Sequence, residues 1–232
     1  VVGRLEGRAL ALVALLLGVA RVLGAQLVAL GVGNVGLQQL HLHLLAHAVQ
    51  ELGAALPDGA GNVAHGYQAL TANTDGGYNV AMGDGSMMLN TNGDDNVAMG
   101  AYALRNNISG NGNVAIGSQA LFNNTASGNV ATGSDALYNN IDGSHNIAMG
   151  SDALYYNVSG KNNIGIGETA LYFNKASNNI AIGYWALHIN DVGTSNIAMG
   201  TYALLSNTSG NFNIAIGDSA LKNNTFSYNT AI

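Results

Sequence analysis

The sequence predicts an all-β fold over most of its length, a parallel β-solenoid of about ten coils behind a short helical or disordered N-terminal segment. Three observations carry this. Asn and Gly are abundant, 31 and 32 of 232 residues, against a single Pro. All the Asn but Asn34 lie after position 58. A five-residue core, Asn-[Val/Ile]-[Ala/Gly]-x-Gly, then recurs at steps of 16 or 17 residues.

Residues 1–58 contain no Ile, Lys, Tyr, Phe or Met and are mainly Leu, Val, Ala and Gly. The composition changes at Pro57-Asp58-Gly59, a turn-forming sequence that places the domain boundary there. Ala9 to Ala20 is an apolar run flanked by Arg4, Arg8 and Arg21, too short to span a bilayer but of signal-peptide length, with Gly24-Ala25 as a small-residue site. Glu6 and the Val at position 1 speak against a signal. Leu37, Leu40, Leu44, Ala48 and Leu52 recur at helical steps and form one apolar stripe. His43 and His47 share a face at i, i+4, but Leu44 and Leu45 stand where a metalloprotease helix carries its Glu, so they are taken as polar-face histidines. The segment is thus a signal, a helix, or sequence outside the native fold.

The repeat core begins at Asn62, Asn79, Asn96, Asn113, Asn129, Asn146, Asn163, Asn179, Asn196 and Asn213. An eleventh begins at Asn229, so the repeat domain, 59–232, is expected to be truncated in mid-repeat. Eight residues after each first Asn stands Leu, preceded by Ala, except at Ser86-Met87. Eleven residues after it comes a second Asn: Asn73, Asn90, Asn107, Asn124, Asn140, Asn157, Asn174, Asn190, Asn207 and Asn224. The longer units carry Gly near their end (Gly93, Gly110, Gly160, Gly210), and the shorter ones Ser (Ser127, Ser177, Ser227).

A two-helix repeat needs about 34 residues, so this period holds only short extended segments and turns. In Asn113-Val114-Ala115-Ile116-Gly117, alternation points Val114 and Ile116 one way and Ala115 the other. The larger pair is the expected core, Gly117 the strand-closing turn, and Ala120-Leu121 the start of a return segment that supplies the second half of the core. Coils stacked ~4.8 Å apart align like residues in columns, so ten extend roughly 48 Å. Asn suits both columns because it tolerates left-handed turns and its amides can bond along a ladder.

Units such as Asn113-Val114-Ala115-Ile116-Gly117-Ser118-Gln119-Ala120-Leu121 resemble the head repeats of YadA-like trimeric autotransporter adhesins. They are equally similar to the Asn-x-Ala-Ile-Gly repeats of phage tail fibres. The resemblance covers about residues 60–232 and implies a left-handed parallel β-roll, three chains side by side, and a non-catalytic role in attachment to a host surface, matrix protein or glycan. It implies an extracellular location, on a cell surface or a virion fibre. The units depart from those head repeats in being somewhat longer and in having Ala-Leu where Ser-x-Ala is commoner. A homotrimer has its own expected support in the Ala column (Ala98, Ala115, Ala131, Ala148, Ala181, Ala198, Ala215), which the alternation places outside, where small side chains permit close approach.

The remaining chemistry is sparse. With no Cys, disulfides and thiolate chemistry are excluded, and net charge −6 with 7 basic residues argues against a nucleic-acid partner. His65, His145 and His188 occupy three different repeat positions, and the Asp residues sit at turns, so no catalytic residue, cofactor or metal ligand is assigned. Asn92-Gly93-Asp94-Asp95 offers oxygen ligands for calcium but lacks the spacing of known loops. Sequons such as Asn107-Ile108-Ser109 recur because both residue types are turn positions of one repeat. Tyr102, Tyr138, Tyr155, Tyr172, Tyr184, Trp185 and Tyr202 flank the Ala-Leu segment, either lining a glycan-binding surface or covering the solenoid edge. An ice-binding or other flat-lattice solenoid is the alternative function, though it calls for outward Thr columns.

Overall fold

A computed structural model describes Gly59 and residues 61–232; the N-terminal helix, signal and histidine readings lie outside the described residues. The described chain is an all-β parallel solenoid. Its strands are β1 (Val63–His65), β2 (Val80–Met82), β3 (Val97–Met99), β4 (Val114–Ile116), β5 (Val130–Thr132), β6 (Ile147–Met149), β7 (Ile164–Ile166), β8 (Phe173–Asn174), β9 (Ile180–Ile182), β10 (Ile189–Asn190), β11 (Ile197–Met199), β12 (Ile214–Ile216) and β13 (Thr230–Ala231). Eleven of them form one parallel sheet in the order β1-β2-β3-β4-β5-β6-β7-β9-β11-β12-β13, while β8 and β10 pair separately. Register follows the repeat without slip: Ala98 pairs Ala115, and Ala148 pairs Gly165.

The facing of the strands is the reverse of the expected one. The central Ala of each strand, Ala81 through Ala215, is fully buried, while Met82, Met99, Ile116 and Met149 are 39–45% exposed. The reason is the width of the coil. At Gly165, the one strand centre without a side chain, an added Cβ would sit 3.2 Å from the Ala170 carbonyl oxygen and 3.3 Å from Leu154 Cδ1. A methyl group therefore fills the space that the opposite wall leaves, and a β-branched side chain exceeds it. The Ala column consequently cannot be the outer surface of close approach; the Val, Ile and Met columns are outside.

The opposite wall is Leu70, Met87, Leu104, Leu121, Leu137, Leu154, Leu171, Leu187 and Leu204, all 0–1% exposed. These residues, with Leu221, have φ between 48° and 55°, a left-handed conformation unusual for a large side chain. The expected return segment is a run of turns in most coils, as in Ala103 N to Gly100 O at 3.3 Å and Asn107 N to Leu104 O at 3.2 Å, and becomes a short strand in two coils, β8 and β10. The left-handed backbone costs about 1–2 kcal/mol per residue, which burial of a Leu side chain, about 2–3 kcal/mol, offsets. Bonds to the next coil, such as Leu104 N to Ala120 O at 2.9 Å, add to it.

Both Asn columns lie inside, nearly all fully buried in the central coils. Their role is the amide ladder; the left-handed turn falls on the residue before the first Asn, such as Asp95, His145 or Asn178. In the first ladder Asn79 Oδ1 accepts from Asn96 N and Asn96 Nδ2, both at 3.0 Å. In the second, Asn107 Nδ2 donates to Asn90 Oδ1 at 3.0 Å. The ladders meet at one carbonyl per coil: Gly110 O receives Asn96 Nδ2 at 2.8 Å and Asn107 Nδ2 at 2.9 Å. A side chain at Gly110 would overlap Asn107 Oδ1 and the Ala126 carbonyl, which is why Gly stands there. In the 16-residue coils the receiving carbonyl passes to Ala126 and Ala176, and the following Ser turns outward, Ser127 Oγ accepting from Asn111 N at 2.9 Å. The strand-closing glycines have φ of 124–141°, and at all but Gly217 a Cβ would collide with the next coil's glycine.

Two stability outcomes follow from this interior. Asn140→Ala removes the ladder acceptor of Asn157, whose Nδ2 donates to Asn140 Oδ1 at 2.9 Å and keeps only its bond to Gly160 O, and is expected to cost about 2–3 kcal/mol in chemical denaturation followed by circular dichroism. Ala148→Val should cost about 1–3 kcal/mol by overpacking, while Ile147→Val, one residue away on the outer face, costs under about 1 kcal/mol. Equal losses at Ala148 and Ile147 would contradict the facing of the strands.

Candidate functional site

Two surfaces stand out against this regular interior. The first is the outer face of the main sheet. The second residue of the main-sheet strands being buried from β2 to β12, the first and third make two parallel columns, Val or Ile in one and mainly Met or Ile in the other. His65 and Thr132 are the polar members of the third-residue column in the three-residue strands.

The second surface grows from the residue after each buried Leu. That position holds Arg105, Phe122, Tyr138, Tyr155, Tyr172 and His188 in successive coils, and stacking of coils places ring on ring. Centroids lie 5.0 Å apart for Phe122–Tyr138, 5.1 Å for Tyr138–Tyr155, 5.3 Å for Tyr155–Tyr172 and 5.1 Å for Tyr172–His188, all within 19° of parallel. Arg105 caps one end, its guanidinium 5.5 Å from the Phe122 ring centre. Trp185 closes the other, 4.0 Å from His188 and 14° from parallel. One residue further along each coil, Asn106 Nδ2 donates to Asn123 at 2.8 Å and Asn123 to Asn139 at 3.2 Å, and then Tyr156 and Phe173 stack at 4.9 Å.

Of the aromatics singled out in the sequence, Tyr138, Tyr155 and Tyr172 are therefore ladder members whose faces are covered by their neighbours. Tyr184, Trp185 and Tyr202 form a looser cluster beside the His188 end, and Tyr102 lies over Gly85. Phe122, Tyr156, Phe173 and His188 were not singled out as surface aromatics, although their offsets from the buried Leu, one residue for Phe122 and His188 and two for Tyr156 and Phe173, carry the signal. The ladder asparagines are occupied: Asn107, Asn157 and Asn207 are buried and bonded, so their sequons present no free amide. Asp94 accepts from Gly77 N at 2.7 Å through Oδ1, and among the described residues no group of three His, Asp or Glu is placed to hold a metal ion. The ion pair Lys175–Asp191, 2.6 Å, joins neighbouring coils with both side chains more than half exposed and contributes little. Thr169 Oγ1 is buried without a partner.

Burial, followed by the neighbouring Tyr156, pushes the Tyr155 and Tyr172 phenols up, so both remain protonated. Burial lowers the His188 pKa, opposed by its bond to a backbone carbonyl, His188 Nδ1 to Thr169 O at 3.2 Å. As a donor there, Nδ1 carries the proton of the neutral ring. Among the described residues no helix is long and apolar enough to cross a membrane. No protein-family model, curated protein or solved structure matches the chain.

The folded state keeps His188 neutral, whereas the unfolded chain takes up its proton near pH 6.5. The stabilisation is therefore complete above about pH 6.5 and is lost as pH falls from there toward the lower folded pKa. Melting temperatures should decline over that interval in the parent chain, and His188→Phe, which continues the ladder, should remove this part of the decline. Emission from Trp185, the one tryptophan, should stay unquenched over that interval and fall only as pH drops through the lowered folded pKa, where imidazolium forms against the indole.

Proposed function

We propose that the repeat domain is a non-catalytic segment of an extracellular fibre or adhesin head, whose copies associate side by side, as a homotrimer, through the outer face of the main sheet. The observation that supports this most is the facing of the strands. Two columns made mainly of Val, Ile and Met, interrupted by His65, Thr132 and Thr230, run outward across eleven paired strands, while the interior takes amides, Ala and Leu. A mainly apolar strip of this kind is a feature of interaction surfaces. The repeat resemblance supports the same reading and supplies the attachment role and the count of three.

Magnitudes bear on the mode of association. A three-residue strand is ~10 Å long and ten coils extend ~48 Å, so the strip projects roughly 480 Å². A stable pair buries about 800 Å² per partner. Columns flanking the strip must join the contact, as they do when each chain packs against two others around a common axis. The non-catalytic reading is supported by the buried polar residues among those described, the Asn columns, Ser86 and His188, which are bonded within the fold. The flat-lattice reading draws no support: the outward strand columns carry Thr132 alone between β1 and β12.

Sedimentation velocity of the full chain at micromolar concentration is expected to give a trimer. Ile147→Lys with Met149→Lys, both on the outer face, should release monomers with an unchanged circular dichroism spectrum. A monomeric parent chain would overturn the association.

A further inference from the structure

Two populations of aromatic ring share the solenoid surface, and they differ in what their faces meet. The ladder tyrosines spend their faces on each other. Tyr184 does not: it is 40% exposed, its plane is tilted 47° to Trp185 at 5.9 Å, and it meets Tyr202 edge-on at 5.7 Å. Trp185 gives one face to His188 and meets Tyr202 at 6.4 Å in a T-shaped contact. Lys222 lies 4.7 Å from the centre of the Tyr202 ring.

The backbone fixes what flanks this open ring. Glu168, Tyr184, Thr201 and Asp218 occupy one repeat position in four consecutive coils. Coil-to-coil bonds run beside them, Trp185 N to Glu168 O at 3.2 Å, Tyr202 N to Tyr184 O at 3.0 Å and Ser219 N to Thr201 O at 2.8 Å. A partly exposed aromatic ring thus stands one coil, ~4.8 Å, from an exposed Glu168 on one side and the hydroxyl-bearing Thr201 on the other. A pyranose ring has matching dimensions and chemistry: C–H groups to lay on the negative face of the ring, and hydroxyls at its rim to donate and accept. The orphaned Thr169 Oγ1 sits one coil before Trp185 at the same repeat position, a departure from full polar satisfaction that the other described coils do not show.

We propose that Tyr184, Trp185 and Tyr202 form a docking site for one neutral pyranose unit of a glycan, with Glu168 and Thr201 holding its hydroxyls. The site names the partner in the attachment role proposed above and rests on it. Neutrality follows from charge: Glu168 lies one coil and Asp218 two coils from Tyr184 at the same repeat position, and with a net charge of −6 on the chain they outweigh the single cation Lys222 beside Tyr202, so sialylated and sulfated sugars are repelled.

The test titrates the full chain with lactose, cellobiose, chitotriose and mannobiose, and with 3′-sialyllactose as the anionic counterpart, by calorimetry and Trp185 emission. At least one neutral probe should bind saturably, and sialyllactose should not. Tyr184→Ala should weaken that binding tenfold or more, while Tyr155→Phe, within the ladder, leaves it within twofold. Absence of binding by all four neutral probes, survival of binding in Tyr184→Ala, or equal binding of sialyllactose overturns the site. Sedimentation of the same samples reports side-by-side association separately, so failure of the sugar site and failure of the fibre reading give different results.

Discussion

Each coil depends on one carbonyl group that receives two side-chain amides. At Gly110 these come from Asn96 and Asn107, at Gly160 from Asn146 and Asn157, and at Gly210 from Asn196 and Asn207. Both lone pairs of the oxygen are used, and each amide's other bonds go to the coils before and after it. A buried amide left without partners costs about 1–3 kcal/mol, so an isolated coil cannot hold this arrangement and a stack can. Neighbour dependence is thus chemical as well as topological. The glycine at the carbonyl, the left-handed corner before the first Asn and the invariant spacing of eleven between the two Asn columns all serve to bring the two amides to that oxygen.

The amides also decide what else fits. With two Asn columns occupying one side of the coil and Leu filling the other, the strand contributes only a methyl group to the interior. Gly165 shows how narrow the remaining space is, since even a Cβ there meets Leu154 at 3.3 Å. Larger residues go outside, and the usual distribution of a globular domain is inverted, polar side chains within and Val, Ile and Met without. The left-handed Leu belongs to the same geometry: three close turns in succession reverse the chain within a few residues and leave its side chain opposite the Ala.

The period, the closing glycines and the amide ladders were legible because each is a statement about spacing, and coil stacking converts spacing directly into contact. The facing of the strands was not. Val114-Ala115-Ile116 alternates equally well with either face inward, and size alone suggested burying the larger pair. The space is set by Asn113 and Leu121, which belong to other parts of the coil, so no reading confined to the strand could have found it. The left-handed Leu escaped for a related reason, since sequence associates that conformation with Gly and Asn. For the aromatics, position was legible and ring orientation was not: Tyr155 and Tyr184 look alike in sequence, but Tyr155 follows the buried Leu in a column of rings, whereas Tyr184 follows the closing Gly between Glu168 and Thr201.

Ten copies of one coil within a single chain separate what the fold demands from what it tolerates. The two Asn columns do not vary in any of the ten complete units, and the buried Leu is replaced once, by Met87. The outward third residue of the strand, by contrast, is His65, Met82, Ile116 or Thr132 in different coils, and the position of Tyr184 is filled elsewhere by Asp84, Ala101, Ser118 or Glu168. Substitution at these outward positions leaves the amide network untouched, because none of their side chains reaches the shared carbonyl. Recognition can therefore be written on the surface one coil at a time, by choosing rings at the turn and the size of the apolar side chains on the sheet, without renegotiating the interior that keeps the coils in register.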